Sequence, residues 1–230
     1  MIFDVRYFLF LAPALLLALW AQAKVKSTFA RYARVAPRSG QSGASAARAI
    51  LQGAGLDVAV EPVPGQLTDH YDPRTKTLRL SEPVYGGRSL AALGVAAHEA
   101  GHAIQHATHY APMALRGLVF PVASLGSKAA MPLFFIGLIL GGTRGLPLGG
   151  LLMTVGILVF SAVVAFQLIT LPVEFNASRR AIGLLTSRGI IAEDEVKGAR
   201  AVLSAAALTY VAGALQGIMT LLYMLSRRRN

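Results

Sequence analysis

The chain contains no cysteine among its 230 residues. This absence excludes disulfide bonds and thiolate metal sites, so any metal ion must be held by histidine, carboxylate or carbonyl groups. Charge is also scarce, because only 14% of the residues are charged and only 11 of them are acidic. Few carboxylates are therefore available for catalysis or metal binding.

Apolar residues are abundant instead. They make up 54% of the chain, and the mean hydropathy is +0.54, which is typical of a membrane protein. The net charge is +11, but the basic residues lie beside apolar segments and not among aromatic residues on a soluble fold. This distribution favours contact with anionic membrane lipid, and we expect no nucleic-acid partner.

Four apolar segments are long enough to be candidates for membrane spans. They are residues 7–23, 117–142, 146–171 and 201–225. The second segment is weaker because it carries Lys128 and two prolines, and that lysine must snorkel, face a cavity or sit in the interior. The third has no charge, and we expect Pro172 to end it.

The positions of the basic residues predict the orientation of these segments. A cluster of lysines and arginines follows the first span, which favours an uncleaved span over a signal peptide and places its carboxyl end in the cytoplasm. Arginines also follow the third span. Residues 201–225 conflict with this rule, because a fourth span would put the terminal arginines outside. They form either a fourth span or a helix that lies against, or re-enters, the membrane.

The polar region between the first two spans predicts a small folded domain. Residues 43–56 have helical spacing, 56–63 and 76–81 read as short strands, and a further helix begins near Ser89. We expect 76–81 to be the edge strand on which an extended substrate pairs.

The predicted fold class is therefore a mainly α membrane protein. It has three to four transmembrane helices and a small α+β domain at the cytoplasmic surface. The predicted organisation is an N-terminal transmembrane helix (1–24), the domain with the histidine helix (25–116), a transmembrane hairpin (117–171), a segment with a further metal ligand (172–200) and an apolar C-terminal helix with a basic tail (201–230).

The stretch "HEAGH" carries the chemistry. His98 and His102 are four residues apart, so a helix places them on one face about 6 Å apart along its axis, within reach of one ion. Glu99 lies beside them and can meet a bound water. This is the H-E-x-x-H pattern of zinc peptidases, in which the glutamate is the general base.

Such a site needs a third protein ligand. Residues 105 and 108 are glutamine and threonine, so the longer motif with a third histidine on the same helix is absent. His106 stands two turns from His98, too far to share the ion. A later carboxylate is the alternative, and Glu174 in "LPVEFNASRRA" is the first candidate, with Asp57, Asp69 and Asp72 as further ones.

Three sequence blocks carry a family resemblance. They are "LTDHYDPRTKTLRLSEPVYGGRSLAALGVAAHEAGHAIQHA", "LPVEFNASRRA" and "GARAVLSAAALTYVAGAL". Together they resemble the YugP-like neutral zinc metallopeptidases, a family of bacterial membrane proteins. The pairing of "HEAGH" with "EFNAS" is also similar to the HtpX and CAAX prenyl endopeptidase group. In that group an aspartate usually stands where this chain has Ser178, so the role of that carboxylate does not carry over.

The resemblance implies a gluzincin-like zinc site. Zinc would be bound by His98, His102 and Glu174, with Glu99 as general base, in a multi-pass protein of the bacterial cell membrane. The positions of the basic residues predict that this active site faces the cytoplasm. Membrane lipid and a protein or peptide substrate are the implied partners, and a regulator and the oligomeric state stay open.

Two further residues are candidates for stabilising the oxyanion of the reaction. They are Tyr210 and His106. The predicted function is hydrolysis of peptide bonds at the membrane surface, with membrane-protein quality control as a possible role. The alternatives are an intramembrane protease and a noncatalytic scaffold that keeps a structural zinc site.

Overall fold

The computed structural model describes residues 5–141 and 145–229. The chain divides into two compact units. The first combines the chain up to Trp20 with Ala114–Leu171 and with the chain from Thr209 onward, and the second combines Ala21–Met113 with Pro172–Leu208. The predicted metal ligands all belong to the second unit.

Helices dominate the described residues. The helices are α1 (Val5–Tyr32), α2 (Gly43–Gly53), α3 (Glu82–Tyr85), α4 (Leu90–Ala107), α5 (Ala111–Ile139), α6 (Pro147–Ser187) and α7 (Val196–Arg229). The strands are β1 (Ala59–Val63), β2 (His70–Asp72) and β3 (Thr77–Ser81), and a short 3-10 turn covers Glu193–Glu195. A mainly helical fold with a small sheet was predicted, and both parts of that prediction are confirmed.

Among the described residues, four helical segments are long and apolar enough to cross a membrane. They are Phe8–Tyr32, Ala111–Ile139, Pro147–Ser187 and Glu193–Arg228. Each overlaps one of the apolar segments found in the sequence, although residue 142 at the end of the second segment lies outside the described residues. The upper figure of three to four spans is therefore supported by length and composition. The last helix is continuous, and residues 201–225 therefore form no re-entrant turn.

Two expectations about these helices need correction or refinement. Pro172 was expected to end the third apolar segment, but it lies inside α6, which continues to Ser187. A proline in a helix leaves one carbonyl without its usual partner, and apolar membrane helices tolerate this when their neighbours compensate. Lys128 is exposed on α5, so it does not sit in the protein interior.

The first unit packs its helices through small residues and a few large ones. Its buried cluster comprises Phe134, Met153, Ile157, Tyr223 and Met224. A Cβ added to the glycine at 137 or 156 would lie within 3.0 Å of backbone atoms on a neighbouring helix, so these positions allow close approach.

The second unit begins with α2, which starts and stops where the sequence predicts. The Ser42 side chain accepts a hydrogen bond from the backbone N–H of Ser45 and caps the first turn. After the helix ends, Gly55 adopts a φ of 68°, a conformation that favours glycine. The predicted helix over 43–56 is therefore confirmed in its position.

The sheet has the strand order β1-β3-β2. The central strand, β3, pairs parallel with β1 and antiparallel with β2. The expectation that residues 76–81 form an edge strand is therefore wrong, because both sides of β3 are occupied. Its residues Leu78 and Leu80 are fully buried, whereas β2 is a short strand at the edge.

The helix α4 forms the centre of the second unit. Ser89 caps its first turn by accepting a hydrogen bond from the backbone N–H of Ala92, as the predicted start near Ser89 requires. Of its 18 residues, 14 are buried, and they pack in a core with Ile50, Leu78 and Leu185. This packing holds the histidine motif on a rigid element.

Candidate metal centre

The histidine motif meets Glu174 inside the second unit. The Nε2 atom of His98 lies 3.2 Å from Oε2 of Glu174, and the Nε2 atom of His102 lies 3.6 Å from the same oxygen. Donor atoms of the three side chains all lie within 4.8 Å of one another. Among the described residues, these three form the cluster that could hold a metal ion.

These distances suit a tetrahedral zinc ion. Donors that each bind zinc at about 2.0–2.1 Å must lie about 3.3–3.4 Å apart in a tetrahedron. The two measured nitrogen-to-oxygen distances, 3.2 Å and 3.6 Å, bracket that separation. The donor set of two imidazoles and one carboxylate is also common in zinc sites, and it needs no cysteine. The residues present therefore fit zinc.

A close approach of two helices brings the ligands together. A Cβ added to Gly101, which lies between the two histidines of the motif, would meet the backbone oxygen of Ala177 at 2.9 Å. Only a glycine on α4 therefore allows α6 to come this near. Because Glu174 is one turn before Ala177, the contact delivers its carboxylate to the imidazoles.

Each imidazole is also held by its second nitrogen. The hydroxyl of Ser178 lies 3.1 Å from Nδ1 of His98, and the amide oxygen of Gln105 lies 3.0 Å from Nδ1 of His102. Such contacts orient the rings of metal-binding histidines. In the HtpX and CAAX prenyl endopeptidase group an aspartate usually stands at the position of Ser178. In this chain the serine hydroxyl makes the contact with His98.

The site is buried and carries negative charge. The Glu174 side chain is only 3% exposed, and Glu99 is 9% exposed as a residue. Burial by itself would lower the pKa of His102, but the hydrogen bond that Glu174 accepts from it and the charges of Glu99 and Glu174 outweigh the burial and raise that pKa. The two carboxylates thus favour a cation at the position of the imidazoles.

The other predicted site residues lie as follows. His106 is on α4, one turn after His102, and its Nδ1 atom is 3.0 Å from the hydroxyl of Tyr71 on β2. Burial raises the pKa of the Tyr71 phenol, so its O–H remains a hydrogen-bond donor. Tyr210 lies on α7 in the first unit and is 39% exposed, and its role stays a prediction.

The alternative acidic ligands serve local structure instead. Asp69 accepts hydrogen bonds from the backbone and hydroxyl of Ser81, and Asp72 accepts from residues of the turn that follows it. Asp57 is exposed. The prediction that Glu174 is preferred to these aspartates as the third ligand agrees with the cluster.

Sequence reasoning missed Tyr71 and Gln105. Tyr71 stands beside the Asp-Pro turn and carries no helical or metal-binding pattern, so only the pairing of β2 with its neighbours brings it to His106. Gln105 was noted as the residue that breaks the longer histidine motif. Its spacing of three residues from His102 was the available signal, because residues three apart meet on a helix face.

The described residues thus combine four candidate membrane helices with a candidate metal centre of two histidines and a glutamate. A family model described as "Putative neutral zinc metallopeptidase" matches residues 7–229, and the chain belongs to this family. The chain is 53% identical over 217 residues to the "Putative membrane protease YugP" of Bacillus subtilis (strain 168). That match covers 94% of this chain and 93% of the relative. No solved structure matches the chain.

These comparisons confirm the YugP-like resemblance. They support a zinc metallopeptidase in a membrane that acts on protein or peptide. The likeness to the HtpX and CAAX prenyl endopeptidase group stays a prediction.

Proposed function

We propose that the protein is a zinc endopeptidase of the bacterial cell membrane that cleaves peptide bonds at the cytoplasmic surface. The observation that supports this most strongly is the cluster of His98, His102 and Glu174, in which each imidazole nitrogen lies at about the separation of tetrahedral zinc ligands from the Glu174 carboxylate. Three protein ligands leave a fourth position for a reacting water, which a purely structural site does not need.

The residues at this site would have separate roles in hydrolysis. A bound zinc ion would act as a Lewis acid and lower the pKa of a water to about 7. Glu99, which lies between the two histidine ligands, accepts the proton of the attacking water and passes it to the leaving amine. The downstream glutamate ligand makes the arrangement gluzincin-like. Burial of both carboxylates limits competing water around them.

Tyr71 and His106 are the candidates that we favour for stabilising the oxyanion. Their 3.0 Å contact holds a phenol on the edge strand against the helix that carries the ligands. His106 was predicted for this role, and Tyr71 joins it because its phenol is a neutral donor. Tyr210 is the second candidate, since a tyrosine hydroxyl can supply the same hydrogen bond.

The substrate enters along β2 in this proposal. The strand is at an edge of the sheet, so its outer backbone groups are available to an extended polypeptide. An unfolded segment of a membrane protein has this form, which fits a role in quality control. Anionic lipid contacts the basic residues near the membrane in this proposal.

The cytoplasmic orientation is inferred from charge. Basic residues follow the apolar parts of α1 and α6, as the positive-inside bias requires.

Because the chain has no cysteine, single cysteines provide a direct test of this orientation. Gln66→Cys should react with a membrane-impermeant maleimide only after the cells are opened. Asn230→Cys reports the side of the C-terminus. Labelling of Gln66→Cys in intact cells would contradict the orientation.

The enzymatic role is tested with Glu99→Gln. The variant should keep zinc, measured by elemental analysis, but lose roughly 10²- to 10⁴-fold in the cleavage of unfolded casein by the detergent-purified protein, because the base is removed. Glu82→Gln, which changes an exposed glutamate of α3, is the control and should cleave normally.

Two outcomes would support another function. Zinc bound without cleavage by the unaltered protein would favour the noncatalytic scaffold, and equal cleavage by Glu99→Gln and the unaltered protein would remove Glu99 as base. The intramembrane alternative is less favoured, because α4 is not among the helices of the described residues that are long and apolar enough to span.

A further inference from the structure

Gln105 is a buried polar residue to which the proposed mechanism assigns no role. It lies on α4 with 0% exposure, three residues after His102. A fully buried amide is costly unless its polar atoms are hydrogen-bonded, and both polar atoms of Gln105 have partners here.

The surroundings of this amide determine which side its oxygen faces and which side its nitrogen faces. Its Nε2 atom donates to the backbone oxygen of Val173 at 2.8 Å and to Oδ1 of Asn176 at 3.0 Å. Oδ1 of Asn176 also accepts from Nε of Arg180 at 2.8 Å, so it is an acceptor in both contacts. A flipped Gln105 would place its oxygen against two acceptor oxygens. The amide oxygen must therefore face Nδ1 of His102.

We propose that Gln105 is a positioning residue that selects the tautomer of His102 for zinc. An oxygen can only accept, so the neutral imidazole must carry its proton on Nδ1 and present an unprotonated Nε2 to the metal. The Nε2 atom is the one directed at Glu174, at 3.6 Å. This inference rests on the proposed zinc site.

The same amide also positions the third ligand. Val173 precedes Glu174 by one residue and Asn176 follows it by two, so Gln105 holds α6 on both sides of the carboxylate, through the backbone oxygen of Val173 and the side-chain oxygen of Asn176. One side chain on α4 therefore sets both the ring of one ligand and the register of the helix that supplies another. Outer contacts of this kind strengthen metal binding by about 10- to 100-fold.

The contact at His98 differs in kind. A serine hydroxyl can either donate or accept, so Ser178 orients the ring of His98 without choosing its tautomer. The zinc-free protein should thus have a defined tautomer at His102, because the 3.0 Å contact of Nδ1 with Gln105 is shorter than the 3.6 Å separation of Nε2 from Glu174. That difference separates our proposal from a general stabilising effect of buried polar groups.

The first test uses the unaltered full chain in detergent, free of metal, with ¹⁵N-labelled histidine. At a pH where the imidazoles are neutral, the nitrogen shifts of His102 should show a protonated Nδ1 and an unprotonated Nε2. Replacement of single histidines assigns the signals. A His102 that carries its proton on Nε2 would overturn the proposal, and this measurement requires no variant at Gln105.

The second test compares Gln105→Glu with Gln105→Met. Glutamate keeps an acceptor for His102 and should keep the proton on Nδ1, although its second oxygen loses the donations to Val173 and Asn176. Methionine has a similar length but no amide oxygen and should lose the preference for Nδ1. Competition with a chromophoric chelator should show zinc affinity about 10- to 100-fold weaker for Gln105→Met. Gln52→Met, an exposed glutamine of α2, is the matched control.

The outcomes separate this proposal from the proposed function. If Gln105→Met keeps both the tautomer and the zinc affinity of the unaltered protein, Gln105 has no positioning role even when the enzyme is a zinc peptidase. If the unaltered protein binds no zinc, the proposed function fails, while the tautomer of the metal-free protein still decides the role of Gln105.

Discussion

The two units of the molecule use apolar residues in opposite ways. In the first unit, large apolar side chains are exposed, such as Leu118 at 77%, Leu125 at 72% and Leu158 at 65%. In the second unit, a core rich in alanine surrounds α4, and the polar side chains near the ligands bond to one another. The stability of the first unit therefore depends on its apolar composition. The site in the second unit depends on particular residues at particular positions.

This difference between the units is tested most directly by replacing one exposed leucine in each unit with a charged residue. Leu158→Arg should reduce the amount of folded protein in the membrane fraction, because an arginine at the centre of a membrane helix costs about 2.5–3.5 kcal/mol on insertion scales. Leu67→Arg, at a leucine of the second unit that is 54% exposed, should leave that amount unchanged. Quantified membrane fractions measure both.

Equal tolerance of the two arginines would contradict this difference between the units. It would mean that the exposed leucines of the first unit face water and not lipid.

A pair of glycine replacements sharpens the account of the second unit. Gly101→Ala places a Cβ 2.9 Å from the backbone oxygen of Ala177, so α4 and α6 must separate, and we expect a loss of about 1–3 kcal/mol in the free energy of unfolding. Gly183→Ala on α6 meets nothing within 4 Å and should gain up to about 1 kcal/mol from helix propensity.

Thermal unfolding in detergent measures both glycine variants without any metal. If Gly101→Ala is as stable as Gly183→Ala, then the close approach of the two helices is not what positions Glu174.

The smallest expected effect concerns the hydroxyl at His98. Ser178→Ala removes the 3.1 Å contact to Nδ1 and should weaken zinc affinity by about tenfold, at the low end of the range for such contacts. It should weaken affinity less than Gln105→Met, because Ser178 does not select a tautomer. Ser204→Ala, an exposed serine of α7, provides the control in a chelator competition. An effect larger than that of Gln105→Met would reverse this ranking.

Much of the fold follows from local patterns. Helical spacing predicted α2, and the start of α4 was predicted near Ser89, since such signals depend on neighbouring residues alone. Apolar runs predicted the long helices for the same reason. The histidine pair and Glu174 were also found from spacing and from the family resemblance.

The remaining features depend on contacts between distant parts of the chain. The place of β3 at the centre of the sheet is set by pairing with two other strands, which strand periodicity does not reveal. The continuation of α6 through Pro172 is a case in which tertiary packing overrides a local stop signal. The fixed amide of Gln105 needs Val173 and Asn176 to be brought beside it.

The central claim is that Glu174 completes a zinc site with the two histidines of α4. Zinc content per chain, measured by elemental analysis of the detergent-purified protein after dialysis, tests it most directly. We expect about one zinc ion in the unaltered protein and a large loss of zinc in Glu174→Ala, because a site of this type needs three protein ligands. Full zinc content and unchanged affinity in Glu174→Ala would contradict the account.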